Sequence, residues 1–299
     1  MQALIPFPDI DPVIFSIPLG AFNLDLRWYA LAYIVGLLLA WFWVVRLVKA
    51  PALWAEDTPP MSVKQPEDLL TWIILGVIIG GRLGFVIFYQ PAHFLSNPAE
   101  IPQVWLGGMS FHGGFIGVLV AGYLFARKNR LSVASVGDCL AITAPVGLFL
   151  GRMANFIRPE LWGRPTDVPW AVVFPDPMAL TCPEDWIGPC ARHPSQLYEA
   201  GLEGIVLGLV MFWLVYRRGW LKIPGQMIGV FFIGYGAARM FIEFFRQADP
   251  QFGNYLNPLG HVIRFGTELD SWGLTMGQTL SLPMILVGLV LIRMARRRA

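Results

Sequence analysis

The feature that most constrains this chain is a series of seven apolar stretches, near residues 28–48, 69–89, 111–126, 133–156, 197–216, 227–245 and 274–294. A helix that crosses a bilayer needs about 20 mostly apolar residues, because its short rise per residue must span the hydrocarbon layer. Each stretch meets or approaches that length. The third is short and glycine-rich, with Gly113, Gly114, Gly117 and Gly122. Composition agrees: of 299 residues, 56% are hydrophobic and 14% charged, where soluble domains carry about 25% charge. Too little charge rules out an ordinary soluble enzyme, and too much apolar surface rules out disorder. A net charge of +2 argues against a nucleic-acid partner. Three cysteines are not a disulfide framework. The expected fold is an all-α polytopic membrane protein with seven transmembrane helices and no internal repeat.

The basic residues set the expected orientation. All four lysines and nine arginines fall after spans one, three and five and in the C-terminal tail. The 90–110 connection has no Lys or Arg. Because cationic loops stay inside, the N-terminus is expected outside and the C-terminus in the cytoplasm. Residues 1–27 then form an extracytoplasmic arm. Four prolines (Pro6, Pro8, Pro12, Pro18) and weak alternation leave an extended segment, a small hairpin or a frayed end as its possible forms. The arm lacks the basic start and apolar run of a cleavable signal peptide. Residues 28–299 are the expected transmembrane domain. Its 157–196 insertion, with Trp162, Trp170, Phe174 and Trp186 among prolines, suits a small extracytoplasmic cap.

Ionisable groups inside spans are costly and usually functional. Here they are Arg82, Asp138, Arg152, Glu199, Glu203, Arg239 and Glu243, with Tyr29, His112, Asn155 and Tyr235 at similar depth. With the orientation above, all but Asp138 fall in the outer half of the bilayer, which points to one polar cavity opening outward. Tyr235, Arg239 and Glu243 are spaced i, i+4, i+8, with Arg246 beyond them, so they share a helix face. Arg152 and Asn155 do the same at i, i+3. Guanidinium groups bind phosphate bidentately and stay charged when desolvated, so a phospholipid head group is the expected ligand. Two plainer readings stand beside it: an Arg239–Glu243 pair that only locks helices, and arginines that snorkel to the interface.

Metal and cofactor are not expected, because the four histidines are scattered and no His-x-x-x-His or Cys-x-x-Cys spacing occurs. Cys139 reads as core. Cys182 and Cys190, in the outer insertion, are expected to be bonded to each other. Ser195 reads as the N-cap of the fifth span, with His193 structural. His93 and His261 read as surface residues. A secondary transporter would also bury charge near the midplane, but transporters often show repeated halves and broken helices, and neither a repeat nor equal halves are apparent here.

Six blocks carry a resemblance. They are GRMANFIRPELWG at 151–163, RWYALAY at 27–33, GGRLGFVIFY at 80–89, GGMSFHGG at 107–114, RHPSQLYEA at 192–200 and GYGAARMFIEFFRQAD at 234–249. In type and order they resemble prolipoprotein diacylglyceryl transferases. One departure is Arg158, where that family usually has Asn, followed by Pro159 at a less constrained position.

The resemblance implies a transferase of the bacterial cytoplasmic (inner) membrane that works on the extracytoplasmic side in the first step of lipoprotein maturation. Its implied partners are phosphatidylglycerol, the membrane lipid, and lipoprotein precursor signal peptides bearing a lipobox cysteine. The diacylglyceryl group passes to the thiol, a thioether forms and glycerol 1-phosphate leaves, without a cofactor. A thiolate nucleophile needs a base or a positive field, and a leaving phosphate needs a cation. His112, Arg152 and Arg239 are therefore the expected catalytic residues. His112 either accepts the thiol proton or only hydrogen-bonds and packs. Arg152, Asn155, Arg239, Tyr235 and Tyr29 are expected to bind phosphatidylglycerol, although both tyrosines also suit an interfacial belt. Glu160, Gly163, Glu243, Arg246 and Arg82 are expected to support the site.

Overall fold

The computed structural model describes residues 5–20, 22–183, 186–249, 251–253, 257–266 and 271–298. The arm opens with β1 (Ile5–Pro6), then β2 (Val13–Leu19) and β3 (Phe22–Arg27). Strands β2 and β3 pair antiparallel, so of the forms left open the arm takes the hairpin. The helices follow as α1 (Trp28–Val48), α2 (Gln65–Phe88), the short α3 (Pro91–Ser96), α4 (Phe111–Lys128) and α5 (Val133–Ile157). After β4 (Val172–Val173) come α6 (Ser195–Glu199), a π-helical segment Ala200–Val206, α7 (Leu207–Arg218) and α8 (Gln226–Ile242). A hairpin of β5 (His261–Arg264) and β6 (Gly273–Thr275) precedes α9 (Met276–Arg298).

Five helical stretches are long and apolar enough to cross a membrane: α1, α2, α5, the continuous Ser195–Arg218 run and α9. Helix α8 is apolar but shorter, and α4 carries His112, four glycines and a basic end. The flanks of these helices stay unpartnered: Ile79, Leu119, Leu209 and Val290 are all exposed. Such a girdle of large apolar side chains belongs against lipid rather than water. The chain is therefore a mostly helical, multi-pass membrane protein.

Small residues bring the helices together, as expected where lipid leaves no hydrophobic drive for association. Gly76, Gly80 and Gly84 of α2 face Gly113 and Gly117 of α4, and a Cβ at Gly76 would lie 2.5 Å from the Gly117 carbonyl oxygen. Helices α8 and α9 approach in the same way at Gly229, Gly236 and Gly288. Asp138, the charged residue set apart by depth, has a structural task. Its carboxylate accepts from the backbone N–H groups of Gly225 (2.6 Å) and Ile228 (2.9 Å), satisfying the open start of α8 from a neighbouring helix. Near it, the connections around Trp54, Arg130 and Leu221 gather at one end of the bundle.

The opposite end carries the arm and the cap. Strand β1 lies parallel to β4, with Ile5 opposite Val172. Phe174 is fully buried among Phe7, Phe156 and Trp162, a small second core. Arg192 fastens the cap from within. Its guanidinium donates to the carbonyls of Ala179 (2.6 Å), Thr181 (2.6 Å) and Gly163 (3.2 Å). The Cys182–Cys190 disulfide closes the same loop, as expected, and Cys139 is buried core.

Candidate active site

The site is built around a carboxylate. Glu199 is the last residue of α6 and is fully buried. Its oxygens receive Arg152 Nε from α5 at 2.9 Å, Arg239 from α8 at 2.7 Å and Arg246 at 3.4 Å. Arg239 also holds Glu243 at 3.0 Å, one turn further along α8. Glu203, one turn beyond Glu199, is fully buried and lies 3.8 Å from Arg152. Three guanidinium groups, carried by α5, by α8 and by the chain just past α8, thus converge on one acid. The locking pair Arg239–Glu243 exists, but as one edge of this wider network.

The local chain explains the convergence. The π-helical segment Ala200–Val206 follows Glu199 directly and shifts the following side chains around the helix axis. Gly204 lets this segment press on α5, where a Cβ would come 2.6 Å from Phe149 Cβ. Helix α8 ends at Ile242 rather than near residue 245, because the chain tightens there into i→i+3 turns. Arg246 therefore does not continue the helix face. It is placed by a backbone bridge to Gly163 and by Arg164, whose Nε donates to the Arg246 carbonyl at 2.9 Å. Gly163 sits where two backbones cross. An added Cβ would lie 2.5 Å from the Phe245 carbonyl oxygen and 2.6 Å from His193 Cβ.

Around this cluster, Asn155 donates to Glu160 at 2.7 Å and lies within 3.5 Å of Arg152. Arg158, the departure noted in the sequence, pairs with Glu160 at 3.5 Å on the exposed side. Tyr235 stands in the field of Glu203, Arg152, Arg239 and Glu199. Tyr33 stands in that of Arg152 and Glu160, and Tyr29 touches the group only through the Tyr33 hydroxyl at 3.4 Å.

Two expectations need correction. Arg82 does not join the cluster around Glu199. It is buried, and its guanidinium donates to the carbonyls of Ile101 (2.8 Å) and Glu100 (2.7 Å) and to Gly107, with Phe94 beneath it. Depth along a helix fixes height but not azimuth, and this face of α2 turns toward the 90–110 connection. Ser195 is not an N-cap: it is the first residue of α6, and its hydroxyl donates to the Leu161 carbonyl at 2.9 Å. His93 is exposed, as expected, and its ring contacts Glu100 at 2.8 Å. His112 lies in the first turn of α4, exposed, against the Phe111 ring, with no hydrogen bond among the described residues. His193 bonds the Tyr198 hydroxyl at 3.0 Å, and burial together with the Arg164 charge pushes its imidazole below the ordinary range.

Sequence reasoning noticed Glu199 and Glu203 but did not place them in the site. The usable signal was their i, i+4 spacing within one span, opposite arginines on two others.

The family model described as prolipoprotein diacylglyceryl transferase matches residues 12–294. A Roseobacter denitrificans protein named phosphatidylglycerol–prolipoprotein diacylglyceryl transferase is 57% identical over 299 residues, all of both chains. Proteins of the same name from Cereibacter sphaeroides and Sinorhizobium medicae are 58% identical over 298 residues and 49% over 297. These cover 100% of both chains in the first case, and 99% of this chain and 96% of the relative in the second. With a match over nearly its whole length and its buried arginines gathered on one acid, the chain belongs to the prolipoprotein diacylglyceryl transferase family.

Proposed function

We propose that this protein transfers the diacylglyceryl group of phosphatidylglycerol to the lipobox cysteine of lipoprotein precursors. The observation that carries the reading is the convergence of Arg152, Arg239 and Arg246 on Glu199 inside an apolar bundle. A phosphodiester is the anion best able to exchange for that carboxylate, because guanidinium presents paired N–H donors to two oxygens at once. Arg152 and Arg239 hold the phosphate, while Asn155, Tyr235 and Tyr29 orient the head group. Glu160, Glu243 and Arg246 keep the guanidinium groups in place, and Gly163 fixes the chain that carries Arg246.

The thiol sulfur attacks the glyceryl carbon that bears the phosphate ester. The S–C bond forms, the C–O bond breaks and glycerol 1-phosphate departs, with its growing charge stabilised by Arg152 and Arg239. The thiol proton passes to His112, whose exposed ring has no hydrogen bond among the described residues that would occupy it.

Seven spans are proposed, adding α4 and α8 to the five long ones, with the arm (1–27) and the cap (157–196) outside and the C-terminus in the cytoplasm. Four cation–ring pairs support that orientation: Arg46 on Phe42, Lys128 on Trp72, Arg218 on Trp213 and Arg296 on Trp220. Each cation lies at the C-terminal end of α1, α4, α7 or α9, as a basic inner interface requires. The proposed setting is the bacterial cytoplasmic membrane.

The decisive experiment incubates the purified protein with phosphatidylglycerol and a synthetic lipobox peptide and reads the peptide mass. A mass gain of one diacylglyceryl unit is expected, lost in Arg152→Ala and Arg239→Ala and reduced in His112→Gln. Near-normal transfer by either arginine variant defeats the phosphate assignment, and full activity of His112→Gln removes it as the base.

A further inference from the structure

The arginine cluster has an unusual charge balance. Three guanidinium groups, of Arg152, Arg239 and Arg246, face three buried carboxylates, of Glu199, Glu203 and Glu243. With every member ionised the group is neutral, yet its proposed ligand brings a further negative charge. Adding an anion to a neutral, buried network is expensive at low dielectric. Among the described residues both oxygens of Glu203 and Gln196 Oε1 accept no hydrogen bond, while Glu199 Oε2 and Glu243 Oε2 lie against Arg152 Nε at 2.9 Å and Arg239 at 3.0 Å. Every buried side-chain oxygen left without a partner among the described residues belongs to this one region.

Glu203 is the extreme member. It is fully buried, both of its oxygens are orphaned, and its one ion pair is the 3.8 Å contact with Arg152. The charged and titratable groups facing it are Glu199 on its own helix, Arg152 on α5, Arg239 and Tyr235 on α8, and Arg246 just past α8. Glu199, by contrast, holds three arginines at closer range.

We propose that Glu203 takes up one proton as the phosphate of the donor lipid enters, so that lipid binding and protonation of this carboxyl group are a single coupled event. This rests on the diacylglyceryl-transfer reading and adds a positioning residue to it. Protonation removes the charge from a fully buried carboxyl group whose oxygens accept no hydrogen bond among the described residues, as the phosphate brings its own charge in. The neutral group also gives up its 3.8 Å hold on Arg152, so that of Glu199 and Glu203 only Glu199 still competes with the lipid phosphate for that guanidinium.

The test uses the full chain in detergent, titrated with short-chain phosphatidylglycerol by calorimetry in two buffers of different ionisation enthalpy. About one proton absorbed per lipid bound is expected, with Kd rising toward about tenfold per pH unit as the pH is raised. Glu203→Gln, permanently neutral, is expected to bind without proton uptake, with a Kd that stays flat across pH. A purely structural Glu203 would leave the proton count unmoved. No proton uptake by the wild type, or unchanged uptake in Glu203→Gln, overturns the proposal. The wild-type measurement decides alone if the variant does not fold. Equal binding of phosphatidylglycerol and neutral diacylglycerol would instead defeat the transfer reading, and this proposal with it.

Discussion

Replacing Gly163 with Ala tests whether the site depends on a backbone crossing remote from any reacting atom. Ordinary contact begins at 3.4 Å, and the new Cβ would stand 2.5 Å from the Phe245 carbonyl oxygen, so the strands must part by about 0.9 Å. Neither neighbour is the end of a flexible side chain: the nearest atoms are the Phe245 carbonyl and the His193 Cβ and carbonyl. Parting them weakens two hydrogen bonds of 2.8 Å, Gly163 N–H to His193 and Arg164 N–H to Phe245. Two such bonds contribute about 2 kcal/mol and overpacking costs about 1–3 kcal/mol more, so a loss of about 3–5 kcal/mol is expected. The same shift carries Arg246 away from Glu199, and a misplacement near 1 Å costs about 100-fold in rate. The assay is peptide lipidation by mass beside thermal unfolding in one detergent. Gly147→Ala is the control, because its Cβ meets nothing within 4 Å. It should match or slightly exceed the wild type in stability, since Ala favours helix by up to about 1 kcal/mol. A Gly163→Ala protein with wild-type stability and rate would refute the reasoning, as would an equal loss in the control.

Three further outcomes follow from the geometry. Arg82→Ala removes donors from the Glu100, Ile101 and Gly107 carbonyls. It should open the 90–110 connection to protease and lower stability by a few kcal/mol, at about 1 kcal/mol per bond; lost phosphatidylglycerol binding with an unchanged protease pattern would return Arg82 to the anion site. In the native protein Cys182 and Cys190 should resist alkylation until a reductant is added; two thiols that label without it would contradict the bond. Burial and Arg164 depress His193, so below the ordinary imidazole range, about 6.5, the unfolded chain binds the extra proton and the folded one resists it. The stability this residue contributes is complete above that range and is lost as pH falls through its folded value. His193→Gln should flatten the acid limb of a melting-temperature profile, and an unchanged limb would show that other groups set it.

The membrane-embedded elements were legible because a hydrocarbon solvent leaves few choices. The starts of α1, α4 and α5 fall at 28, 111 and 133, as the apolar patterns place them. What was not legible depends on rotation about a helix axis. Arg82 and Arg152 look alike by depth, yet one clamps a loop and the other meets Glu199. The π-helical segment leaves no mark in composition, since its residues are ordinary helix formers with two glycines. It is within that segment that Glu203 turns toward Arg152, beside Glu199 at the end of α6. Ser195 misled because a serine at a helix start normally caps it, and here a loop carbonyl from Leu161 competes for the hydroxyl. The cap core around Phe174 was foreshadowed by its aromatic content, but the arrival of Phe7 from the arm was not, because nothing local specifies a partner so distant in sequence.

That distance has a consequence for biogenesis. Ile5 is hydrogen-bonded beside Val172, and Phe7 beside Val173, so the first strand waits until more than half of the polypeptide has been synthesised and threaded. Pairing at such long range is slow and is completed late. A tag or truncation at the very start should therefore leave insertion untouched and instead delay the last stitch that closes the cap.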